Sequence, residues 1–289
     1  MKVSGFTFIR NGVLLGYPFV QSILSALPIC DEFVVAVGQG DDNTLEVLRS
    51  IESPKLRIIE TTWNEKMQDR GFVYAQQKMI AHYNCTGDWA FYLEGDEVLH
   101  EQELQTIYDS MLKHLDNPEV EALAFDYYHF FGTPSYITVG TAGYRQAPRI
   151  IRNTIRVFAP DGLFFVVMDK NKKGRYPRAA MSGAHIYHYG AVRSLSCMQE
   201  KMNRVSQYWG KQAAKFESYE SQNDPFELRN FEGTHPEAIR EWLETDAEKS
   251  FTPNPNHVPT PRQRRHRWRM RLENILGMDL SKKHFTLVK

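Results

Sequence analysis

WAFYLEGDEVLHE, residues 89–101, decides how the rest of the chain is read. An apolar aromatic run, Trp89-Ala90-Phe91-Tyr92-Leu93, follows Gly87-Asp88 and ends abruptly in three carboxylates, Glu94, Asp96 and Glu97. The run has the length and composition of a buried strand. Carboxylates beside a buried strand are costly unless something compensates them. They are tolerated at the C-terminal end of a sheet, where open α/β folds bind ligands, above all next to a divalent cation. In an extended strand Glu94 and Asp96 point to the same face, which sets two hard oxygen ligands side by side. Two solvated acids at a strand end are the plainer alternative.

On either side of this stretch, the pattern predicts strands over 3–9, 33–37, 56–59 and 90–93, alternating with helices over 17–27, 44–51, 71–83 and 101–115. Pro18 suits a first helical turn, and Asp41 or Asp42 can cap the helix at 44–51. This alternation predicts an α/β fold, a mostly parallel sheet with helices on both faces. Beyond residue 120 the pattern turns strand-rich, with strands expected at 122–128, 148–158, 163–167 and 184–189 and helices at 192–217 and 236–249. A Pro/Asn linker at 252–256 precedes a helical pattern over 262–276. The expected division is 1–120 and 121–250 as two halves of one domain, with 251–289 a linker and basic C-terminal helix.

The 289 residues are 42% hydrophobic and 24% charged, enough for a real core in an ordinary globular protein. Net charge is zero, but unevenly spread. From Arg262 onward six Arg and three Lys face two acids, a net of +7, and the remainder carries −7. Cys30, Cys85 and Cys197 are odd in number, far apart and without metal-type spacing, so a reducing compartment is expected. No apolar run approaches the ~20 residues of a membrane span. Arg10 and Asn11 interrupt the first apolar pattern, and no signal peptide is expected. No internal repeat or low-complexity segment is visible.

Three stretches together resemble the family 2 glycosyltransferases of the GT-A fold, bacterial nucleotide-sugar transferases, over roughly the first two thirds of the chain. The opening strand runs into Phe8-Ile9-Arg10-Asn11, like the family's first strand and its polar loop. The second ends in Gly38-Gln39-Gly40-Asp41-Asp42-Asn43-Thr44, similar to the acidic turn that holds the nucleoside. Gly87-Asp88-Trp89 followed by Leu93-Glu94-Gly95-Asp96-Glu97 is similar to the metal-binding acidic signature. Two departures stand out: Glu94 replaces the first Asp of that signature, and Met79 stands where the preceding helix often has Asn.

The resemblance implies a nucleotide-sugar donor, a UDP-sugar first, held by Arg10, Asn11, Gly38, Asp41, Asp42, Arg70, Gln77, Glu94 and Asp96. It implies Mn²⁺ or Mg²⁺ bound by Asp96 and Glu94, with His188 as the late ligand. His185 and His188 are three apart on an expected strand, so at most one faces the site. Inverting transfer needs a general base, for which Asp161, Asp126 and Glu97 are the candidates; Pro160-Asp161-Gly162 is equally a turn signal. Arg149, Tyr128 and His129 are the candidate acceptor-binding residues, in stretches that also read as core strand. The expected acceptor is a glycan or lipid-linked glycan in cell-surface polysaccharide or lipopolysaccharide assembly.

Residues 262–276 combine arginines with Trp268, Leu272, Ile275 and Leu276 at helical spacing. A basic amphipathic helix of this kind suits peripheral contact with an anionic membrane at its inner, cytoplasmic face; docking on the acidic body is the alternative. The acidic body argues against nucleic acid. A nucleotidyltransferase would carry a Gly-rich basic loop after its first strand, and residues 10–16 match that poorly. A dinucleotide site would need G-x-G-x-x-G there, whereas Gly38 and Gly40 follow the second strand. A non-catalytic nucleotide- or sugar-binding protein is the remaining alternative.

Overall fold

The structure, a computed structural model, describes residues 1–140, 143–212 and 215–288. Its first half alternates β1 (Val3–Ile9), α1 (Phe19–Ala26), β2 (Glu32–Gly38), α2 (Thr44–Arg49), β3 (Leu56–Thr61), α3 (Phe72–Tyr83) and β4 (Trp89–Tyr92). A two-residue β5 (Glu97–Val98) and α4 (Leu104–Lys113) follow. β4, β1, β2 and β3 lie side by side and parallel, with Phe6 opposite Val34 on one flank and Tyr92 on the other. Because side chains alternate along a strand, this sheet buries two separate layers. Phe33, Val35, Trp89 and Phe91 pack on one face with Phe19 and Ile23 of α1 and Ile107 and Met111 of α4. Phe6, Val34, Ala90 and Tyr92 pack on the other with Ala81 of α3. Helices on both faces of a parallel sheet make this an α/β fold.

The sheet continues into the second half through β8 (Gln146–Arg152), antiparallel to β4, then β6 (Ala122–Phe131), β7 (Thr133–Thr138) and β13 (Leu228–Asn230). The long β12 (Arg178–Ala191) runs parallel to β6 and pairs β5 near its end. β9 (Val157–Phe158), β10 (Val166–Met168) and β11 (Gly174–Arg175) form a separate antiparallel sheet. The remaining elements are α5 (Leu195–Val205), α6 (Tyr219–Gln222), α7 (Arg240–Thr245), α8 (Pro261–Leu276) and β14 (Thr286–Leu287). β14 pairs β12, and Phe285 enters the core, so the last segment is stitched to the body.

Several expected elements are shorter or broken. The strand expected at 148–158 is interrupted by a turn after Arg152, and the one expected at 163–167 starts only at Val166. The helix expected over 192–217 ends at Val205; a 3₁₀ turn, Ser206–Trp209, follows, and Gly210 closes it at φ 63°. Residues 213 and 214 of that expected helix lie outside the described residues. The helix expected over 236–249 is a 3₁₀ turn, Glu237–Ile239, followed by α7 alone.

Candidate active site

Strand order β3-β2-β1-β4 reverses direction at β1, so the crevice beyond the C-terminal ends of β1 and β4 is the topological switch point where such sheets bind ligands. Arg10 and Asn11 leave the end of β1 there, and Glu94 to Glu97 leave the end of β4. A cavity of about 530 Å³ opens between them. Its other walls are Trp63 and Tyr74 from the first half and, from the far half of the chain, Tyr144, Gly162 and Leu163, then His188 at the end of β12, then Lys201, Arg204, Tyr208 and Trp209 from α5 and the turn after it.

Asp96 is the electrostatic centre. Its Oδ2 takes the buried Arg193 guanidinium and lies 4.0 Å from Lys201 Nζ, while Oδ1 stands 3.5 Å from His188 Nε2. Burial alone would raise the carboxyl, but His188 first, then Arg193 and Lys201, hold it well below the usual carboxylate range. Among the described residues Asp96 Oδ1 has no hydrogen-bond partner although it is buried. Glu94, Asp96 and His188 each bring one donor atom within 4.8 Å of the others. A buried, unpartnered carboxylate oxygen, a second carboxylate and an imidazole nitrogen fit a hard divalent cation.

The tautomer of His188 follows from its neighbours. His129 Nε2 is 2.8 Å from the Tyr144 carbonyl, which only accepts, so that nitrogen carries the proton. The two Nδ1 atoms of His129 and His188 are 2.8 Å apart. Burial, and then the neighbouring His188, push His129 down to about 3, so its ring is neutral and its Nδ1 accepts. His188 therefore donates through Nδ1 and turns Nε2 toward Asp96 and Glu94. Burial opposes its charge, but Asp96 and the neighbouring carboxylates raise it above the ordinary imidazole value, so a bound cation would take the place of the Nε2 proton. A hydrogen bond on the far nitrogen is the usual way a ligating histidine is oriented. His185, three residues earlier, turns the other way, with Nδ1 2.7 Å from Glu103 and its ring stacked on Tyr128.

Glu94 sits on the rim with 24% of its side chain exposed and one oxygen 2.8 Å from Arg149. Burial, and then the Glu97 charge, push it up to about 7. Glu97 itself is fully buried; its two oxygens accept from Arg149, from the Tyr127 hydroxyl and from the Glu94 amide. Below this pair, Lys78 is fully buried, 3.3 Å from the Gly162 carbonyl and over the rings of Tyr92 and Phe165. Burial, and then Arg149, push it down to about 7.

The opposite end of the cavity is aromatic. Trp63 and Tyr208 meet edge to face with centroids 5.5 Å apart, Tyr74 meets both, and Arg10 lies over the Trp63 ring. Arg10 also bonds Glu65 at 2.5 Å and the Tyr208 hydroxyl at 3.0 Å. Asn11 adopts φ 54° and its Oδ1 accepts the Asp41 amide at 2.7 Å, while the Asp41 carboxylate pairs with Arg204 at the mouth. Gly38 is a neighbour of this wall, because a methyl group there would run into the Trp63 indole nitrogen.

Arg10, Asn11, Asp41, Glu94, Asp96 and His188 thus come together around one cavity. Others do not line it. Asp42 ties the loop after β1 to α2 by accepting the Leu14 and Thr44 amides. Gln77 is buried and accepts from Thr61; Arg70 is exposed at φ 44° before α3. Asp126 and Tyr128 line a separate groove beside α8. Arg149 is fully buried against Glu97, and His129 stands behind His188, so neither is free to meet an acceptor directly. Asp161 accepts the Leu163 amide in a turn whose next two residues form the cavity wall. Sequence reasoning missed Trp63, Tyr74, Arg193, Lys201, Arg204 and Tyr208. The only local signal was Lys201 and Arg204 three apart on one helix after the His188 strand.

No family model and no curated protein matches the chain. Among solved structures it is similar to S. aureus TarS, with 17% identity over 71% of this chain and 39% of that one at a TM-score of 0.41. A shorter form of TarS in complex with UDP gives 16% identity over 72% of this chain and 65% of that one at a TM-score of 0.39. The same form in complex with UDP-GlcNAc gives 16% identity over 53% and 46% at a TM-score of 0.36. The chain spans less than two thirds of each, and likenesses this slight do not bear on its activity.

Proposed function

We propose that the chain is an inverting glycosyltransferase that moves a sugar from a nucleotide-diphosphate donor, a UDP-sugar first, to a glycan or lipid-linked acceptor of cell-surface polysaccharide or lipopolysaccharide assembly. The observation that carries this reading is the convergence of Glu94, Asp96 and His188 on one side of a deep cavity at the switch point of the parallel strands. The aromatic wall of Trp63, Tyr74 and Tyr208 suits a nucleobase. Arg10 and Asn11, at the end of β1 on the cavity lining, are assigned to the ribose and diphosphate. Mn²⁺ or Mg²⁺ held by Asp96, Glu94 and His188 supplies charge neutralisation for a departing diphosphate. Lys201 and Arg204 add fixed positive charge on the same side, already oriented before the leaving group gains its charge.

Removal of the acceptor proton is assigned to Asp161. Glu97 has both oxygens taken by Arg149, and Asp126 faces the separate groove, whereas the turn at Asp161 builds the cavity wall. The test is nucleotide release from a panel of nucleotide sugars with Mn²⁺, beside Asp96→Asn and Asp161→Asn. The expected result is turnover of a UDP-sugar that Asp96→Asn abolishes together with donor binding. Asp161→Asn keeps UDP affinity and lowers kcat about 10²–10⁴-fold, the worth of a positioned base. If none of the UDP-, GDP-, CMP- or dTDP-sugars turned over, the chain would be a binding protein and not a transferase.

A further inference from the structure

Helix α8 docks on the body by one narrow stripe. Met270 and Glu273 are buried, Arg267 makes two bonds to Asp224 at 2.7 and 2.6 Å, and Glu273 takes Arg145 at 2.9 Å. At 3.6 residues per turn these positions share one face. The opposite face is open. Trp268 is 65% exposed, Leu272 47%, Ile275 78% and Leu276 56%, and the first three run along the centre of that face. Arg264 and Arg271 flank them on one side, Arg265 and Arg269 on the other. Among the described residues Arg262, Arg264 and Arg265 have no carboxylate partner. Exposed large apolar side chains on a helix that already has a docked face are not accounted for by packing.

We infer that the outward face of α8 lies in the surface of an anionic lipid bilayer. An apolar stripe between two rows of arginine is the layout of a helix lying in the membrane interface, rings and aliphatic chains down, guanidiniums at the headgroup phosphates. Nucleic acid would engage the arginines and leave Trp268, Leu272 and Ile275 unused. A second copy meeting face to face would bring the arginine rows together. The charge distribution selects the orientation as well: residues from Arg262 onward carry +7 and the rest of the chain −7, so a negative surface attracts this end and repels the other. No helix among the described residues is long and apolar enough to cross a membrane, so the contact is peripheral. The docked side of α8 holds Arg145, the residue after Tyr144 of the cavity wall, which ties the helix to that wall. Lipid docking does not depend on the proposed transfer chemistry.

The experiment is co-sedimentation of the full chain with vesicles of phosphatidylcholine containing phosphatidylglycerol, and with vesicles of phosphatidylcholine alone. Binding is expected to the mixed vesicles only, weakened by salt, with a blue shift in tryptophan emission that Trp268→Phe removes. Arg264→Gln and Arg265→Gln each lower partitioning about fivefold, the equivalent of the ~1 kcal/mol that one basic residue contributes near an anionic leaflet. Trp268→Ala with Ile275→Ala lowers it further, while UDP affinity stays as in the parent chain. These side chains are exposed and outside the docked stripe, so the variants keep the fold, checked by circular dichroism. Equal binding to both vesicle types, or none to either, overturns the inference. So does duplex DNA binding, or dimerisation, that the same variants abolish while vesicle binding persists.

Discussion

The Glu97 carboxylate and the Arg149 guanidinium share two hydrogen bonds, at 2.8 and 2.6 Å, with both side chains wholly withdrawn from water. The same guanidinium reaches Glu94 on the cavity rim at 2.8 Å, so the buried pair anchors a site residue. Removing one member strands the other charge in the core. Arg149→Met or Glu97→Gln is expected to cost about 3–5 kcal/mol in urea unfolding, and the double variant to cost less than either alone. Equal losses that simply add would show that the two do not act as a pair.

The aromatic wall predicts where nucleotide affinity is lost without touching the acidic cluster. Trp63→Ala removes a ring face and is expected to weaken UDP binding by about 1–3 kcal/mol, the usual worth of a base stacked on an aromatic side chain. Gly38→Ala reaches the same end indirectly, by pushing the Trp63 indole aside. Calorimetric titration with UDP checks both; an unchanged affinity in Trp63→Ala would move the nucleobase elsewhere in the cavity.

His129 touches no ligand, yet it fixes which nitrogen His188 presents. Substitution by Leu leaves Asp96, Glu94 and His188 in place but frees the His188 ring to rotate. Loss of such a supporting partner typically costs 10–100-fold in metal affinity, about the drop expected here for Mn²⁺ titrated in the presence of UDP. Retained affinity would mean that His188 is oriented by Asp96 alone.

Acid stability is governed in part by a histidine that does not line the cavity. His82 is buried and stacked on Phe6 with centroids 5.0 Å apart; burial, and then Lys78, push it down to about 4. The native ring is neutral, whereas an unfolded ring gains its proton near 6.5. Stability is therefore intact above pH 6.5 and falls as pH drops from there toward 4. Across that window the lost contribution is about 3 kcal/mol from the ~1.36 kcal/mol carried by each unit. His235, pushed down to about 4 chiefly by burial, acts in the same sense. His82→Phe keeps the stack and removes the proton site, so its midpoint in urea should vary less between pH 6.5 and 4 than that of the parent chain. Identical pH dependence in both would assign the acid loss to other groups.

The first half of the fold was legible because its signals are local. β1 is recognisable from Val3, Phe6, Phe8 and Ile9 with only the small Ser4, Gly5 and Thr7 between them, since both of its faces are covered, and the alternation of strand and helix alone implies a parallel sheet. The α5 segment was over-read because its apolar spacing continues past Val205, while a turn at Gly210 stops the helix. The acidic cluster was legible from its residue types at the end of an apolar strand and not from strand period, because Glu94 and Asp96 sit in the turn after Tyr92 that the Glu97 amide closes onto the Glu94 carbonyl. Strand alternation did separate His188 from His185. The aromatic wall was not, since Trp63, Tyr74 and Tyr208 come from three separated segments and meet only after the sheet and α3 are in place. Arg193 reaches Asp96 from 97 residues away, a contact that no local spacing announces. Arg149 and Glu97 read as functional by charge alone; their burial against each other is a tertiary fact.

The decisive experiment for a metal-assisted donor site is calorimetric titration of the purified chain with UDP, with and without Mn²⁺, beside Asp96→Asn. Binding is expected to strengthen with Mn²⁺ and to be lost in the variant, whose unliganded fold is verified by circular dichroism. UDP binding of equal strength without Mn²⁺ and in Asp96→Asn would contradict such a site, and would leave Lys201 and Arg204 to hold the diphosphate without a metal.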